Sequence, residues 1–234
     1  STNSYLKRQA DQGAVTGSVC LAELQTAGRG RRGRSWHSPY ASNLYLSILW
    51  RFDDGMSRLG ALSLAIAVAM MRSFKELGAE GIGIKWPNDI IGEQGKLAGI
   101  LVDVAGESSG PCHAVIGVGV NYAMSRTHTD NIDQPWIQLT ECGVSEGRNA
   151  IAGSLLNHLI ETLMTYQQQG FEPFRQEWLE NDMLRNREVV VKMTNGSATG
   201  IARGIDQAGL LQVEQQGEIR TYAAGEVSLR RVVE

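Results

Sequence analysis

The sequence predicts an α+β fold, with a mixed sheet in a large first domain and a small β-barrel at the end of the chain. Strand-type and helix-type patterns follow each other up to about residue 185 without the strict alternation of a doubly wound sheet. From Glu188 onward only short strands and turns are predicted. The 234 residues suffice for one large and one small domain. We therefore expect a first domain at 1–185 and a second at 186–234.

The first elements are a short helix and two strands. Ser1 or Thr2 can cap a helix that ends near Gly13, because small hydroxyl side chains favour helix starts and glycine favours helix ends. Apolar patterns then predict strands at 18–24 and 43–50, with a loop between them.

A central helix comes next. Ser57 is expected to cap it, and Gly78 to close it. A strand is predicted at 82–86, where Pro87 stops it. The expected buried face of the helix consists of Leu59, Leu62, Ile66, Met70 and Phe74.

The rest of the first domain is predicted as a hairpin followed by two helices. Strands are expected at 96–104 and 114–122, joined by a turn at 106–110. Helices are expected at 149–169 and 171–180. In the second domain, turns are predicted at 195–196, 206–209 and 215–217.

The composition is that of a soluble protein with a slightly acidic balance. The net charge is -3 and 42% of the residues are hydrophobic, so bulk affinity for nucleic acid is not indicated. Cys20, Cys112 and Cys142 lie too far apart for a metal-binding motif and are expected as reduced thiols in the cytoplasm. No apolar run is long enough for a membrane span. Because the chain starts at Ser1 without Met, we expect a fragment, a processed chain or a form that omits an N-terminal segment.

Residues 28–34 carry four arginines and three glycines in seven positions. Arginines repel one another unless an anion lies between them, and guanidinium groups fit phosphate oxygens. The segment therefore predicts a mobile lid that closes over a nucleotide. The alternative is a solvated basic loop or a nucleic-acid patch.

Three further motifs are candidates for the site. The segment 85–89, Lys-Trp-Pro-Asn-Asp, follows a strand and predicts contacts to phosphate, metal or an amine; the alternative is an ordinary turn. Lys96 opens an apolar strand, where it can hold a carboxylate or simply extend to solvent. Gly117 and Gly119 permit close approach of a flat ligand, or mark a bulge.

Together and in this order, these motifs closely resemble the biotin protein ligases. The resemblance includes Ser1-Thr2-Asn3 and Gln25, which precedes residues 28–34, called here the arginine loop. It also includes two segments of the final barrel, 203–206 and 225–229. It covers nearly the whole chain and is closest to the bacterial bifunctional ligase/repressor group. The resemblance implies a mixed-sheet domain like that of class II aminoacyl-tRNA synthetases and an SH3-like barrel.

The resemblance implies formation of biotinyl-5'-AMP from biotin and MgATP, then transfer of biotin to one lysine of a biotin carboxyl carrier protein. The implied biotin-binding residues are Ser1, Thr2, Asn3, Gln25, Gly28, Arg29, Gly30, Arg31, Lys96 and Gly99. Those implied for ATP or the adenylate are Arg29, Arg31, Arg34, Trp36, Lys85, Asn88, Lys96 and Asn121. The implied catalytic residues are Arg31, Lys85, Asp89 and Lys96.

Individual roles are also implied by the resemblance. Lys96 bridges the biotin carboxylate and the α-phosphate, Trp36 stacks on adenine, and Asn121 lies near the phosphates or their Mg²⁺. Asp89 orients the acceptor lysine and accepts its proton. No protein ligand is assigned to Mg²⁺, which is expected to bind through the phosphates.

The expected partners are the carrier protein and, on ligand binding, a second copy of the chain. DNA binding and repression are expected only through a winged helix-turn-helix domain that would precede Ser1; no membrane partner is expected. One alternative is a lipoate ligase or octanoyltransferase of the same superfamily. The other is a nucleic-acid-binding regulator that uses the arginine loop.

Overall fold

The first sheet of the protein contains six strands in the order β1-β2-β6-β5-β4-β3. We describe it from a computed structural model that covers residues 1–126, 132, 134–193, 196–224 and 228–231. The strands are β1 (Val19–Ala22), β2 (Leu44–Phe52), β3 (Ile82–Lys85), β4 (Asp89–Gly92), β5 (Gly95–Gly106) and β6 (Cys112–Val120).

Every pair of neighbouring strands that the structure describes in this sheet is antiparallel. Consecutive hairpins join β3 to β4, β4 to β5 and β5 to β6, and a hairpin imposes opposite directions. Within the described residues, the expected mixture of directions is limited to two isolated parallel bridges, Ile84–Asp182 and Lys96–Trp136. The α+β class is confirmed, and its main sheet is antiparallel.

Four α-helices in the described part of the chain pack around this sheet. They are α1 (Thr2–Asp11), α2 (Leu62–Glu76), α3 (Arg148–Gln169) and α4 (Glu172–Glu180). The predicted Ser1 cap is confirmed, since its Oγ accepts a hydrogen bond from the backbone N–H of Ser4 at 3.2 Å. Helix α2 is the most buried of these helices because its side chains contact the sheet, α3 and α4.

The prediction that Ser57 caps α2 is wrong. Met56–Leu59 forms a separate 3₁₀ turn, and α2 begins only at Leu62. The Ser57 hydroxyl instead donates to the carbonyl of Ser108 at 3.4 Å. Gly55 lies so close to the same carbonyl that a Cβ would stand 2.0 Å from it. Contact with the β5–β6 turn therefore fixes this segment apart from the helix.

The two faces of the sheet are covered unequally. Alternate residues of a strand point to opposite faces, and Ile48 and Ile116 belong to the core beneath α2 and α3. On the other face, α1 packs on Leu49 and Val115. Helix α1 covers only that end of the face, and the end that carries Gly117 and Gly119 lies beside a cavity.

The second sheet forms the small β domain expected at the end of the chain. Its order is β10-β9-β8-β7-β11, and all described pairs are antiparallel. Its strands are β7 (Glu188–Met193), β8 (Gly196–Ile205), β9 (Leu211–Gln215), β10 (Glu218–Tyr222) and β11 (Ser228–Arg231). Residue 195 of a predicted turn and residues 225–227 of the final motif lie outside the described residues.

The second sheet contacts the rest of the protein through buried groups. Trp86 Nε1 donates to the carbonyl of Gly209 at 3.1 Å. Arg175, on α4, donates to the carbonyls of Ile205 and Asp206. Val189 and Val213 belong to the same apolar core as α2. No helix within the described residues is long and apolar enough to cross a membrane.

Candidate functional site

A cavity of about 760 Å³ opens on the face of the first sheet that α1 leaves uncovered. Its walls come from the start of α1, the arginine loop, the ends of β5 and β6, and the segment that contains Trp136. Of the residues implied for the site, fourteen line it: Ser1, Thr2, Asn3, Gln25, Gly28, Arg29, Gly30, Arg31, Arg34, Trp36, Asn88, Lys96, Gly99 and Asn121.

Glycines provide the space in the floor of the cavity. Gly99 and Gly119 are direct neighbours across β5 and β6. A Cβ on Gly119 would lie 2.6 Å from the Trp36 ring, and one on Gly117 would lie 2.1 Å from Asn3 Oδ1. Any larger residue would displace these side chains. The glycines therefore permit close approach of protein side chains to the sheet, whereas the sequence suggested a flat ligand or a bulge.

A polar cluster closes one end of the cavity. Gln25 Oε1 accepts from the backbone N–H of Thr2 at 2.9 Å, and Gln25 Nε2 donates to Ser38 at 3.0 Å. Ser47 lies at hydrogen-bond distance from both Thr2 Oγ1, at 2.7 Å, and Asn3 Oδ1, at 2.6 Å. These groups are held by one another, so the donors and acceptors that face the cavity have fixed positions.

Lys96 lines the same cavity as this cluster and the arginine loop. Its Nζ lies 2.7 Å from Asp89 Oδ1 and 5.2 Å from the centre of the Trp36 ring. The side chains of Lys96 and Asp89 are only 13% and 16% exposed. Asp89 Oδ1 makes this ion pair without a well-aligned hydrogen bond. The site thus holds a desolvated ammonium group beside a carboxylate.

The arginine loop folds back on itself as a small hairpin. Gly30 donates to the carbonyl of Arg34 at 2.7 Å, and Trp36 donates to that of Gly28 at 2.9 Å. Arg31–Gly33 forms a 3₁₀ turn between them. The prediction that the loop is mobile without ligand stays a prediction.

Two arginines of the loop reach groups elsewhere in the protein. Arg31 donates to Asn88 Oδ1 at 2.8 Å and also to the carbonyl of Ala224, after β10. Arg29 pairs with Asp103 at 3.3 Å. Burial lowers the pKa of the Arg31 guanidinium, while the Asp89 carboxylate acts in the opposite direction. Two of the four arginines of the loop are therefore held by groups elsewhere in the protein.

Four implied residues have positions that differ from their expected roles. Lys85 does not line the cavity; it lies opposite Asp89 in the β3–β4 pair. Asn121 lines the cavity, but its amide nitrogen donates to the carbonyls of Lys96 and Ile137, each at 3.1 Å. The Trp36 ring is occupied by Lys96 and by the sheet backbone. Asp89 also stands just behind the wall and reaches the cavity through Lys96.

Sequence reasoning missed four residues of the site. Ser38 and Ser47 complete the polar cluster, Asp103 holds Arg29 and Asn3, and Trp136 lines the opposite rim. The only local signal was the position of Asp103, a single acid within an apolar strand.

Comparison with known proteins identifies the family of the chain. Residues 1–121 match the model of the Biotin/lipoate A/B protein ligase family. Residues 186–230 match the Biotin protein ligase C terminal domain. The chain therefore belongs to the Biotin/lipoate A/B protein ligase family.

Within this family, the chain is similar to biotin protein ligases. It is 41% identical to the bifunctional ligase/repressor BirA of Escherichia coli, over 98% of this chain and 71% of that protein. It is 34% identical to the biotin–[acetyl-CoA-carboxylase] ligase of Mycobacterium tuberculosis, over 97% and 85%. The structure of the biotin protein ligase from Aquifex aeolicus in complex with biotin and ATP matches with a TM-score of 0.83 and 25% identity, over 99% of this chain and 95% of that one. These matches confirm the resemblance seen in the motifs.

Proposed function

We propose that the protein is an ATP-dependent biotin protein ligase that forms biotinyl-5'-AMP and then biotinylates a lysine of a biotin carboxyl carrier protein. The observation that carries this proposal is the position of Lys96. Lys96 lines the same cavity as the polar cluster and the arginine loop. A carboxylate and a phosphate that meet there would both face positive charge.

In the first step, an oxygen of the biotin carboxylate attacks the α-phosphorus of ATP. The new O–P bond forms as the bond to the β-phosphate oxygen breaks, and pyrophosphate leaves with the electron pair. Two anions must approach each other, so positioning and positive charge lower the barrier. Lys96 bridges the reacting groups, while Arg29, Arg31 and Arg34 face the phosphates. Lys85 lies one strand farther from the reacting groups than Asp89 does. Its positive charge therefore acts on the Asp89 carboxylate and not on the phosphates directly.

The polar cluster binds the ring end of biotin. A ureido group offers two N–H donors and one carbonyl acceptor, which match the mixed donors and acceptors of Thr2, Gln25 and Asn3. Ser1 and Gly28 border the same end, and Gly30 and Gly99 border the chain of the ligand. A lipoate ring has no such polar groups and would leave the cluster partly unpaired, at a cost of about 1–3 kcal/mol for each buried polar group. This favours biotin over lipoate.

The adenine site is assigned to Trp136 instead of Trp36. Trp136 lines the rim of the cavity, and a guanidinium group, that of Arg126, already lies over its ring at 4.5 Å. A flat aromatic ligand can replace a cation on such a face. Asn88 and Asn121 border the path between this rim and Lys96.

In the second step, the acceptor lysine attacks the carbonyl carbon of the mixed anhydride. An amide bond forms, the C–O bond to the phosphate breaks, and AMP leaves. The lysine must first lose a proton, and we assign this proton to Asp89, the carboxylate that reaches the cavity through Lys96. Transfer from preformed adenylate that is as fast in Asp89→Asn as in the wild type would remove this role.

Mg²⁺ would accompany ATP and neutralise its phosphates. The Asp89 carboxylate is engaged by Lys96, and no group of three or more metal-ligating side chains occurs among the described residues. Oxygen ligands from the phosphates and water suit this ion. We therefore assign its binding chiefly to the nucleotide.

The organisation of the whole protein is also part of the proposal. We place the boundary between a catalytic domain at 1–185 and the final β domain at 186–234; the match to residues 186–230 supports it. The three cysteines are free thiols, which supports a cytoplasmic location. A relative named as a ligase and repressor supports a similar second role for a longer form of this protein.

Ligand-dependent pairing of two copies completes the proposal. β5 extends past its pairing with β4, and residues 101–106 have no partner strand on their outer side within the described chain. Such an edge can pair with a second copy. Sedimentation with and without biotin and ATP measures this pairing.

The proposed function is tested by ATP-dependent incorporation of biotin into a carrier domain. We expect Lys96→Ala to lose at least about 100-fold in pyrophosphate release, the size of effect typical of removing one charge-stabilising group. Lys192→Ala, an exposed lysine on β7, is the matched control and keeps wild-type activity. Turnover of lipoate in place of biotin, or full activity in Lys96→Ala with an unchanged melting temperature, would contradict the assignment.

A further inference from the structure

Asp103 is a carboxylate that connects two parts of the cavity wall without lining the cavity. It lies on β5, on the same face of the sheet as Gly99. Its Oδ2 accepts a hydrogen bond from Asn3 Nδ2 at 3.1 Å and pairs with Arg29 Nη1 at 3.3 Å. Its side chain is only 18% exposed. One carboxylate thus joins the start of α1 to the arginine loop.

We propose that Asp103 is a positioning residue that sets biotin affinity and the retention of biotinyl-adenylate. This inference rests on the proposed function. Asp103 touches neither the reacting atoms nor the cavity, so it acts through Asn3 at one end and through Arg29 at the other.

The first action is to fix the orientation of the Asn3 amide. An ionised carboxylate only accepts hydrogen bonds, so it selects the amide orientation in which Nδ2 points toward it. The carbonyl of Leu101 makes the same selection at 3.3 Å. The Asn3 Oδ1 then faces Ser47 and the floor above Gly117. Asp103 thereby presents an acceptor oxygen at the place assigned to the ureido N–H groups.

The second action is to anchor the base of the arginine loop. Arg29 is the first arginine of the loop, and its pairing with Asp103 brings that end against β5. The part of the loop that contains the remaining arginines is then shorter, so fewer residues must become ordered when the adenylate binds. A loop held at one end opens less often, which slows escape of the ligand.

A purely structural role makes a different prediction. Lys7 Nζ lies 3.8 Å from Asp103 Oδ1, so the carboxylate also pairs with the middle of α1. If this contact were the reason for Asp103, removing Lys7 would have the same effect as changing Asp103. If Asp103 positions Asn3 and Arg29, removing Lys7 leaves ligand binding unchanged.

The test uses the full chain and two measurements. The first is kcat and KM for biotin in pyrophosphate release; the second is the rate at which preloaded biotinyl-adenylate escapes. For Asp103→Asn we expect a rise in KM and in the escape rate of about 3- to 10-fold each, the size of a lost charge-assisted contact that is partly exposed. We expect little change in kcat. Asp103→Glu, which keeps the charge, recovers part of both losses, and Lys7→Ala matches the wild type.

A double-mutant cycle isolates the pairing with Arg29. Arg29→Ala is expected to speed escape, and Asp103→Asn is expected to add little to it. Full additivity, wild-type values in Asp103→Asn, or equal losses in Lys7→Ala would overturn the inference. If Asp103→Asn does not fold, Arg29→Ala and Asp103→Glu carry the same test. A wild-type chain that forms no adenylate overturns the proposed function itself, whereas adenylate that forms and escapes equally fast in all variants overturns only this inference.

Discussion

Single residues decide the shape of this site because the ligand face of the sheet is built around missing side chains. Gly117 and Gly119 leave room where β6 passes beneath Asn3 and Trp36. The neighbouring strand contributes Gly99 in the same row. The indole ring of Trp36 therefore lies directly on the backbone, and the ammonium of Lys96 lies over it. Each missing Cβ determines the position of a side chain that lines the cavity.

Gly119→Ala is expected to impair catalysis by displacing the Trp36 ring. The new Cβ would lie 2.6 Å from Cε2 and 2.7 Å from Nε1 of Trp36, so the ring must move. Overpacking of this kind costs about 1–3 kcal/mol. Because the ring carries Lys96 above it, we expect kcat/KM for adenylation to fall by at least about tenfold. Steady-state pyrophosphate release measures the effect.

Gly153→Ala is the matched control for that substitution. Gly153 lies in α3 with nothing within 4 Å of its would-be Cβ. Alanine there should stabilise the helix by about 0.5–1 kcal/mol and leave the kinetics unchanged. Wild-type kinetics in Gly119→Ala would show that the ring tolerates the movement.

At the scale of elements, local patterns identified those whose own residues determine their structure. β2, β5 and β6 carry long apolar runs, and their predicted positions are confirmed to within a few residues. The sequence did not predict β4, because Asn88 and Asp89 are typical of a turn. Its strand conformation comes from pairing with β3 on one side and β5 on the other. The start of α2 was misplaced because a contact with Ser108, far along the chain, determines it.

Prediction of the site from the sequence is limited in the same way, to residues that a local pattern identifies. The motifs supplied Lys96, Asp89 and the arginine loop, because charged groups in apolar or glycine-rich surroundings stand out in a sequence. They did not supply Asp103, whose partner Asn3 is 100 positions away. Contacts over such separations leave no periodic signal in a single sequence.

The arginine loop yields a prediction at this scale. Arg31→Gly removes the contacts to Asn88 and to Ala224, which join the loop to the β3–β4 turn and to the end of β10. The free loop should then cover the anhydride poorly, and we expect biotinyl-adenylate to escape at least about tenfold faster, as for loss of a charge-assisted hydrogen bond. Escaped adenylate would label lysines of unrelated proteins, which mass spectrometry detects.

Arg32→Gly is the control for this loop variant. It removes the same charge from the neighbouring position, but Arg32 does not line the cavity. Its φ of 56° is in the left-handed region that glycine favours, so the substitution introduces no strain. Equal escape in both variants would show that net loop charge, and not the two contacts of Arg31, retains the adenylate.

At the scale of the whole molecule, the two sheets are connected by polar contacts as well as by a shared apolar core. The chain leaves α4 through Asn181 and Asp182, which pair with Ile84 at the edge of the first sheet. Asp182 Oδ1 accepts from the backbone N–H of Leu184 at 3.0 Å, just before β7. The Arg31 contact to Ala224 spans the same two parts. The position of the small β domain therefore depends on the segment that contains Asp182.

This segment should make the stability of the protein depend on pH. Burial raises the pKa of Asp182 from 3.8 to about 6, against the weaker opposing effects of the Leu184 N–H and Arg185. Between these values the unfolded chain has lost the proton and the folded chain keeps it. Stability therefore falls as pH rises from about 4 to about 6 and stays reduced above that range, by about 1–3 kcal/mol.

Asp182→Asn should remove that penalty, because asparagine keeps the oxygen that accepts from Leu184 and carries no charge. We expect the variant to be more stable than the wild type at pH 8, by about 1–3 kcal/mol, and nearly equal to it at pH 4. Urea unfolding at both pH values measures the difference, and each protein serves as its own control. A gain of the same size at both pH values would mean that packing of the amide, and not loss of a buried charge, is the cause. A loss of stability at pH 8 would mean that the ionised carboxylate stabilises the connection between the sheets, through the nearby charge of Arg185.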